Sequence, residues 1–297
     1  MPQNEYEKCT LCARLCGVDR RSSVGFCRMK DELVISRAAL HHWEEPPISG
    51  TRGSGTIFFT GCSLGCVFCQ NRHISSGRNG KMVTVKRLSE IMLDLQSQGA
   101  HNVNLVTPTH FVPSIKTAID TARAGGLKIP IVYNTGGYDT EETIESLDGY
   151  VNVYLPDFKY FLPKTAKKYS AAEDYPTVAR AAIKKMVEQV GSPVFDSEGI
   201  MTRGVIVRIL LLPTHVAEAK LALKYLHDTY GDDIFVSLMN QYTPMEGMQK
   251  PLDRRVSREE YRSLVGYAEH IGLKNGFTQE FGTAKESFIP EFDLTGV

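Results

Sequence analysis

From residue 56 onward, short apolar runs alternate with longer segments whose apolar residues recur at helical spacing. The runs at residues 56–60, 102–107, 129–134, 151–156, 204–211 and 234–238 are rich in Val, Ile and Leu and read as buried strands. Residues 85–98, 112–124, 141–147, 177–189, 217–230 and 257–271 carry the pattern of one-sided helices. Thr140 and Ser257 stand where N-caps are needed, and Ser257 with Glu260 three residues on makes a capping box. Strand–helix alternation six times over predicts an α/β fold, with a parallel sheet and right-handed crossovers forming an open, partial (β/α)6 TIM-like barrel. Residues 195–201, around Glu198-Gly199, read as a small hairpin inserted before the fifth strand.

The chain ahead of this pattern is different. Cys9, Cys12, Cys16 and Cys27 lie in a polar segment too short to bury a core of its own. Four thiolates can close a tetrahedral site, and metal binding supplies ~10–16 kcal/mol in small modules of this kind. The occupant is structural zinc or iron, or a second redox cluster. Residues 31–40 alternate as a strand, and residues 44–55, Glu-Glu-Pro-Pro-Ile-Ser-Gly-Thr-Arg-Gly-Ser-Gly, read as turn-rich loop. His41 and His42, beside Trp43, read as packing residues. The expected division is a four-cysteine metal-binding module with its connector over residues 1–45 and the barrel over residues 46–297.

Composition narrows the function classes. Hydrophobic residues make up 42% and charged residues 23%, as in ordinary globular proteins. With 34 basic and 34 acidic residues the net charge is zero, so no overall field draws the chain to nucleic acid or an anionic membrane. The most apolar run, residues 205–212, is broken by Arg208 and is far too short to span a bilayer. The first eight residues lack the apolar core of a signal peptide. All seven cysteines fall in two tight clusters, which suits metal sites in a cytoplasmic protein better than a disulfide framework.

The second cluster carries the sharpest chemistry. Gly61-Cys-Ser-Leu-Gly-Cys-Val-Phe-Cys-Gln70 spaces Cys62, Cys66 and Cys69 as CxxxCxxC with an aromatic before the last cysteine. Three thiolates can hold three irons of a [4Fe–4S] cluster and leave the fourth open, whereas a closed cluster takes four cysteines. The competing occupant is zinc, with His73 as fourth ligand. Zinc in both cysteine sets would make the chain a non-catalytic scaffold. The loop follows the first barrel strand directly, at the end where such barrels collect their active sites.

This spacing with its aromatic resembles the signature of radical S-adenosylmethionine (SAM) enzymes. The run from Glu44 to Asn71, the N-terminal cysteine quartet and Asn102-Val-Asn-Leu-Val-Thr-Pro-Thr-His-Phe111 are similar to the branch related to pyruvate formate-lyase activating enzymes, over a span from Cys9 to about Phe281. The resemblance implies a partial barrel of the radical SAM type, one [4Fe–4S] cluster on Cys62, Cys66 and Cys69, and SAM cleaved by an electron from the reduced cluster to a 5′-deoxyadenosyl radical. It implies that Phe68 contacts the adenine. Thr107-Pro-Thr109 stands where many relatives have Gly-Gly-Glu, at a strand end that receives the methionine amino group. Asn134 matches an Asp of the activase, Asp157 and Lys159 match its Asp-x-Lys, with Lys159 meeting the SAM carboxylate, and Arg208 matches a fifth-strand arginine. Asn240 stands in place of a histidine. His110 and His215, just past strand ends, are further substrate-site candidates. The implied partners are a low-potential electron donor such as flavodoxin or ferredoxin and a glycyl radical enzyme. The alternative target is a small molecule, nucleotide or peptide, because the chain lacks the eight-cysteine insert of many glycyl-radical activases.

Overall fold

The computed structural model describes residues 4–280 and 290–297; Phe281, where the resemblance ends, and Met1 to Gln3 lie outside the described residues. The described residues form ten strands: β1 (Leu33–His41), β2 (Ser54–Phe59), β3 (Lys81–Val83), β4 (Val103–Val106), β5 (Ile131–Thr135), β6 (Val153–Pro156), β7 (Val194–Phe195), β8 (Met201–Leu210), β9 (Phe235–Met239) and β10 (Gly276–Thr278). The helices are α1 (Asn4–Glu7), α2 (Pro46–Ser49), α3 (Arg72–Ser75), α4 (Val85–Ser97), α5 (Val112–Ala124), α6 (Glu141–Glu145), α7 (Pro163–Ser170), α8 (Tyr175–Val190), α9 (Val216–Tyr230) and α10 (Arg258–His270).

The sheet runs in the order β10-β9-β8-β6-β5-β4-β2-β1-β3. Neighbours from β2 to β10 pair in parallel, while β1 lies antiparallel to β2 and β3 antiparallel to β1. The six predicted strands are β2, β4, β5, β6, β8 and β9, which form the open parallel barrel. The predicted hairpin is β7 with the start of β8, joined antiparallel. The six predicted helices match α4, α5, α6, α8, α9 and α10; the sequence pattern passed over α7 and the edge strands β3 and β10.

The capping box at α10 is complete: Glu260 N–H donates to Ser257 Oγ at 3.2 Å, and Ser257 N–H to a Glu260 carboxylate oxygen at 2.8 Å. The same carboxylate receives Arg254 at 2.7 Å, and this pairing holds the Glu260 carboxyl down to about 2. Ser257→Ala should therefore cost ~1 kcal/mol, measured as a lower urea midpoint with unchanged slope.

Successive residues of a strand face opposite sides, so one set of each strand points into the barrel. The expected turn-rich stretch at residues 44–55 is a plug here rather than an outer loop. Its short helix α2 drives Ile48, fully buried, against Val132, Val153, Leu155, Met201 and Ile206 on the inner faces of β5, β6 and β8. Asn102 Nδ2 donates to the Ile48 carbonyl at 2.8 Å and Ser54 Oγ to Asn102 Oδ1 at 2.6 Å, which ties the plug to β4 and β2. Gly50 ends α2 at φ 47°, where an added Cβ would run into Ile200 and His101. Only glycine lets the chain leave the barrel there.

Residues 4–30 lie over the cluster-motif end of the barrel. Arg14 donates to the carbonyls of Ser63, Leu64 and Ser170, and Tyr6 bonds Ser114 at 3.0 Å. Gly61, at φ 90°, meets Met29 and the Cys27 carbonyl so closely that no Cβ fits. Among the described residues no helix is long and apolar enough to cross a membrane.

Candidate active site

Short strands ending in polar residues build one cavity at the C-terminal mouth of the barrel, of about 240 Å³. The cysteine loop leaves β2 and delivers Cys62, Cys66, Phe68 and Cys69 to it. Thr107 and Thr109 come from the end of β4, Asn134 from β5, Asp157 and Lys159 from just past β6, and Arg208 from β8. Ten of the eleven candidates that the resemblance assigns to the cluster or to SAM therefore share a single cavity.

Asn240 is the exception. It follows β9, is buried, and its amide reaches the Gln279 carbonyl at 3.4 Å, while Gln241 and Met239 line the cavity instead. His110 is buried beside Thr60, whose carbonyl lies 2.7 Å from Nε2. Burial, with Arg20 nearby, pulls its imidazole down to about 3, and it does not line the cavity. His215 turns to the Pro213 carbonyl and Tyr169 and borders a separate crevice.

The three thiols of the loop are partly buried. Burial, reinforced by the Cys69 and Cys66 sulfurs, pushes the Cys62 thiol up to about 12, and burial also raises Cys69. Ser170 Oγ–H donates to Cys66 Sγ at 2.9 Å and shares a 2.7 Å bond with the Tyr160 hydroxyl. Among the described residues no three His, Cys, Asp or Glu side chains gather about a single-ion position. A cuboidal cluster binds each thiolate at a separate iron, so a three-thiol loop with a hydrogen bond to one sulfur suits it. Phe68 is edge-on to Tyr160, Tyr169 and Tyr242, with centroids 6.2–6.3 Å away, so its ring is fixed as one wall of the cavity.

Thr107 adopts the left-handed region at φ 58°, rare for a β-branched residue, before Pro108 and a short 3-10 turn. Its N–H bonds the Asn134 carbonyl at 2.8 Å. Thr109 donates to Asp139 at 2.7 Å, as Tyr133 and Thr135 do at 2.8 and 2.6 Å. Three hydroxyl donors lock Asp139 as an internal brace, and the hydroxyl of Thr109 is committed to it.

Charge concentrates around the strand ends. Arg208 donates to Asp157 at 2.8 Å, to Asn134 at 2.7 Å and to Glu44 at 3.4 Å, and Lys159 pairs with Asp157 at 2.5 Å. Burial pulls the Asp157 carboxyl upward, but Arg208 and Lys159 overcome it and hold it below the usual range. Glu44 went unrecognised in the sequence pattern. It sits at the head of the plug, takes the Asn104 and Asn134 amides at 3.2 and 3.3 Å, and lines the cavity. A pair of carboxylates directly before Pro-Pro-Ile, a buried motif, was the available signal.

On the outer side of the cysteine loop lies a second hollow of about 660 Å³, bordered by Cys62, Cys66, Phe26, Arg28, Arg72 and Arg78. Among the described residues no Asp or Glu lines it. In the N-terminal segment Cys9, Cys12 and Cys27 are buried and Cys16 is exposed. Arg20, completely buried, donates to the carbonyls of Met29, His110 and Lys30, and its guanidinium lies 3.9 Å from Cys9 Sγ.

Comparison with known proteins agrees with this architecture. The chain is 29% identical over 282 residues to the uncharacterized protein MJ0674 of Methanocaldococcus jannaschii, covering 91% of this chain and 77% of that one. Among solved structures it matches SuiB of Streptococcus suis with a TM-score of 0.51 at 14% identity, over 78% of this chain and 50% of that one. It also matches the FeFe-hydrogenase maturase HydG of Carboxydothermus hydrogenoformans with a TM-score of 0.51 at 13% identity, over 79% and 59%. The chain thus spans about half the length of these solved proteins, and at such identity the likeness is one of fold. The family model of the radical SAM superfamily matches residues 56–215, more than half of the sequence, and takes in the cysteine loop and the charged ends of β4 to β8. With that match, the chain belongs to the radical SAM superfamily.

Proposed function

We propose that the chain is an enzyme whose [4Fe–4S] cluster, on Cys62, Cys66 and Cys69, supplies the electron that cleaves SAM to methionine and a 5′-deoxyadenosyl radical. The observation that carries this reading is the single cavity shared by the cysteine loop and the polar ends of four strands. The thiolates hold the cluster, and the hydroxyl of Ser170 tunes it through Cys66. Lys159 faces the SAM carboxylate, Phe68 the adenine, and the Thr107 turn the methionine amino group through backbone and hydroxyl. Asn134, Asp157 and Arg208 orient the remainder, and the plug under Ile48 keeps water from entering below. Asn240 acts from behind, through the Gln279–Gln241 wall. The test is anaerobic: reconstitute with iron and sulfide, reduce, add SAM and assay 5′-deoxyadenosine. No product, together with no SAM-induced change in the EPR spectrum of the reduced cluster, would refute it.

The resemblance of the Glu44–Asn71 run to activating-enzyme-related proteins supports hydrogen abstraction from a backbone glycine of a partner, a glycyl radical enzyme, as the use of that radical. A second reading, radical modification of a small molecule, nucleotide or peptide, is favoured by the carboxylates that the plug brings under the cavity. A glycyl-radical protein co-purifying with the chain would decide for the first. The electron donor in this reading is an acidic, low-potential protein such as flavodoxin or ferredoxin, docking on the arginine-bordered hollow beside Cys62 and Cys66. Charge complementarity of that kind steers encounter.

Residues 1–45 form, in this proposal, a metal-binding module laid over the barrel of residues 46–297. Buried Arg20 supports it. A completely buried guanidinium facing carbonyls, a cysteine and the rings of Tyr6 and Phe111 has no carboxylate partner among the described residues. A metal that drew together the thiolates of Cys9, Cys12, Cys16 and Cys27, which the structure does not gather about one position, would carry net negative charge that supplies a counter-charge. The double variant C9S/C12S should lower bound metal, zinc or iron, while leaving the absorbance of the main cluster in place. Metal analysis of the purified full chain checks it, and unchanged metal content would contradict it.

A further inference from the structure

The barrel carries another hollow at the end opposite the cysteine loop. It measures about 600 Å³ and is walled by the foot of the plug, at Pro46, Pro47 and Arg52, by His101 just ahead of β4, and by Phe235 and Phe277 on β9 and β10. It shares no lining residue with the cavity at the cysteine loop. Barrels of this kind do their chemistry at the C-terminal ends of the strands. Nothing in the proposed reaction therefore calls for a hollow of ligand size here.

One side of the hollow is apolar. The Phe235 and Phe277 rings stack, with centroids 5.2 Å apart and planes 14° from parallel, and Phe195 stands edge-on to Phe235 at 5.5 Å. Phe195 also lines the hollow and stays 39% exposed, so the chain itself covers this aromatic wall only in part.

The other side is polar and holds a mismatch. His101 is buried, the Arg52 backbone N–H points at its Nε2 at 3.2 Å, and Arg52 Nη2 lies 2.9 Å from its Nδ1. Both Arg52 groups can only donate, whereas a neutral imidazole has one lone-pair nitrogen and an imidazolium has none. In either form at least one of the two contacts sets N–H against N–H. The backbone N–H is fixed by the fold and takes the lone pair at Nε2, which leaves Nδ1–H facing the guanidinium. Neither Nδ1 nor Nη2 has another hydrogen-bond partner among the described residues. Two donors thus converge at the edge of the hollow without an acceptor, and an unmade hydrogen bond in a buried place is costly.

The guanidinium can make room for one. Its other bonds run to the Gly99 carbonyl at 3.1 Å and to Glu198 at 2.9 Å, and both side chains of that ion pair are half-exposed. So exposed a pair is worth little, and the arginine swings outward at small cost.

We infer that this hollow binds a small aromatic acid, whose carboxylate accepts from His101 Nδ1–H and from the Arg52 guanidinium while its ring lies against the phenylalanine wall. A carboxylate oxygen supplies the missing acceptor through charge-assisted bonds. A carboxamide is a weaker acceptor and brings N–H groups of its own, and an ammonium adds a third donor. The site goes beyond the radical SAM reading and stands without it.

The test is calorimetric titration of the full chain, its cluster reconstituted and no SAM added, with phenylacetate, phenylacetamide and acetate. Phenylacetate is expected to bind about tenfold or more tighter than either of the others. Arg52→Met should abolish the preference for the acid over the amide. Glu198→Gln removes a negative charge from the rim and should tighten the acid by about twofold. Thermal melts without ligand establish that each variant is folded. Failure of phenylacetate to bind, or affinity no tighter than that of the amide or of acetate, overturns the inference on the wild-type chain alone. A folded Arg52→Met that keeps the preference puts the acid elsewhere in the molecule and overturns it as well. So does a folded Glu198→Gln that binds the acid no tighter than the wild type.

Discussion

Cys66→Ala is expected to abolish 5′-deoxyadenosine formation while leaving the barrel folded. Cys66 sits mid-loop, between a strand that ends at Phe59 and a helix that starts at Arg72, so its side chain holds no sheet hydrogen bond. It is partly exposed, and its Sγ accepts one hydrogen bond, from Ser170. Truncation to alanine should change stability by no more than about 1 kcal/mol. Chemically the loss is complete, because a three-thiolate set already leaves one iron open, and removing a second attachment leaves the cluster held at two corners. The effect should therefore exceed the ~10–100-fold that loss of an outer-shell partner costs a metal site. Iron content, the cluster's visible absorbance and the deoxyadenosine assay should fall together, while the far-ultraviolet circular dichroism stays that of the wild type. Turnover surviving in the variant would remove the cluster assignment and return the loop to zinc or to plain packing.

What the sequence made legible follows from which forces act locally. The six barrel strands and their helices stand out because both faces of a central parallel strand are buried, which forces unbroken β-branched runs such as Val205-Ile-Val207, and because one-sided helices repeat their apolar face. The cysteine loop is legible because ligand spacing is set by the cluster. The Ser257–Glu260 cap is legible because its bonds close within one turn. The plug was not. Pro46-Pro-Ile-Ser-Gly50 has the composition of a loop, and Ile48 becomes a core residue only because distant strands curl around it, information held in tertiary contacts. Glu44 is unreadable for the same reason: its partners Asn104, Asn134 and Arg208 lie 60, 90 and 164 residues away. Strand β10 is three residues at a sheet edge, too short to carry a period. Asn240 shows the reverse failure, since position after a strand did not reveal that its amide turns toward Gln279.

Arg208→Met should be among the most destabilising single changes in the barrel, at ~3–5 kcal/mol. Methionine approximates the volume, so packing is largely kept and the cost is electrostatic. Arg208 is the only cation touching Glu44 among the described residues and one of two on Asp157. Without it Glu44 keeps no cation partner among the described residues and Asp157 keeps only Lys159. At ~2–4 °C per kcal/mol in a chain of this size, the melting temperature should fall by roughly 10 °C. The pH dependence separates this cause from lost packing. In the wild type the Asp157 carboxyl is held below its ordinary value, so its contribution is present at neutral pH and declines only as the medium becomes acidic enough to protonate it. In the variant burial and mutual repulsion raise the folded-state values of Glu44, Glu45 and Asp157 above those of the unfolded chain. A raised carboxyl binds its proton more readily in the folded state, and that advantage is lost as pH rises. The gap between variant and wild type should therefore narrow between about pH 8 and pH 5. A gap independent of pH across that interval would mean that the arginine serves the core by its shape, and that the buried charges beneath the cavity are compensated in some other way.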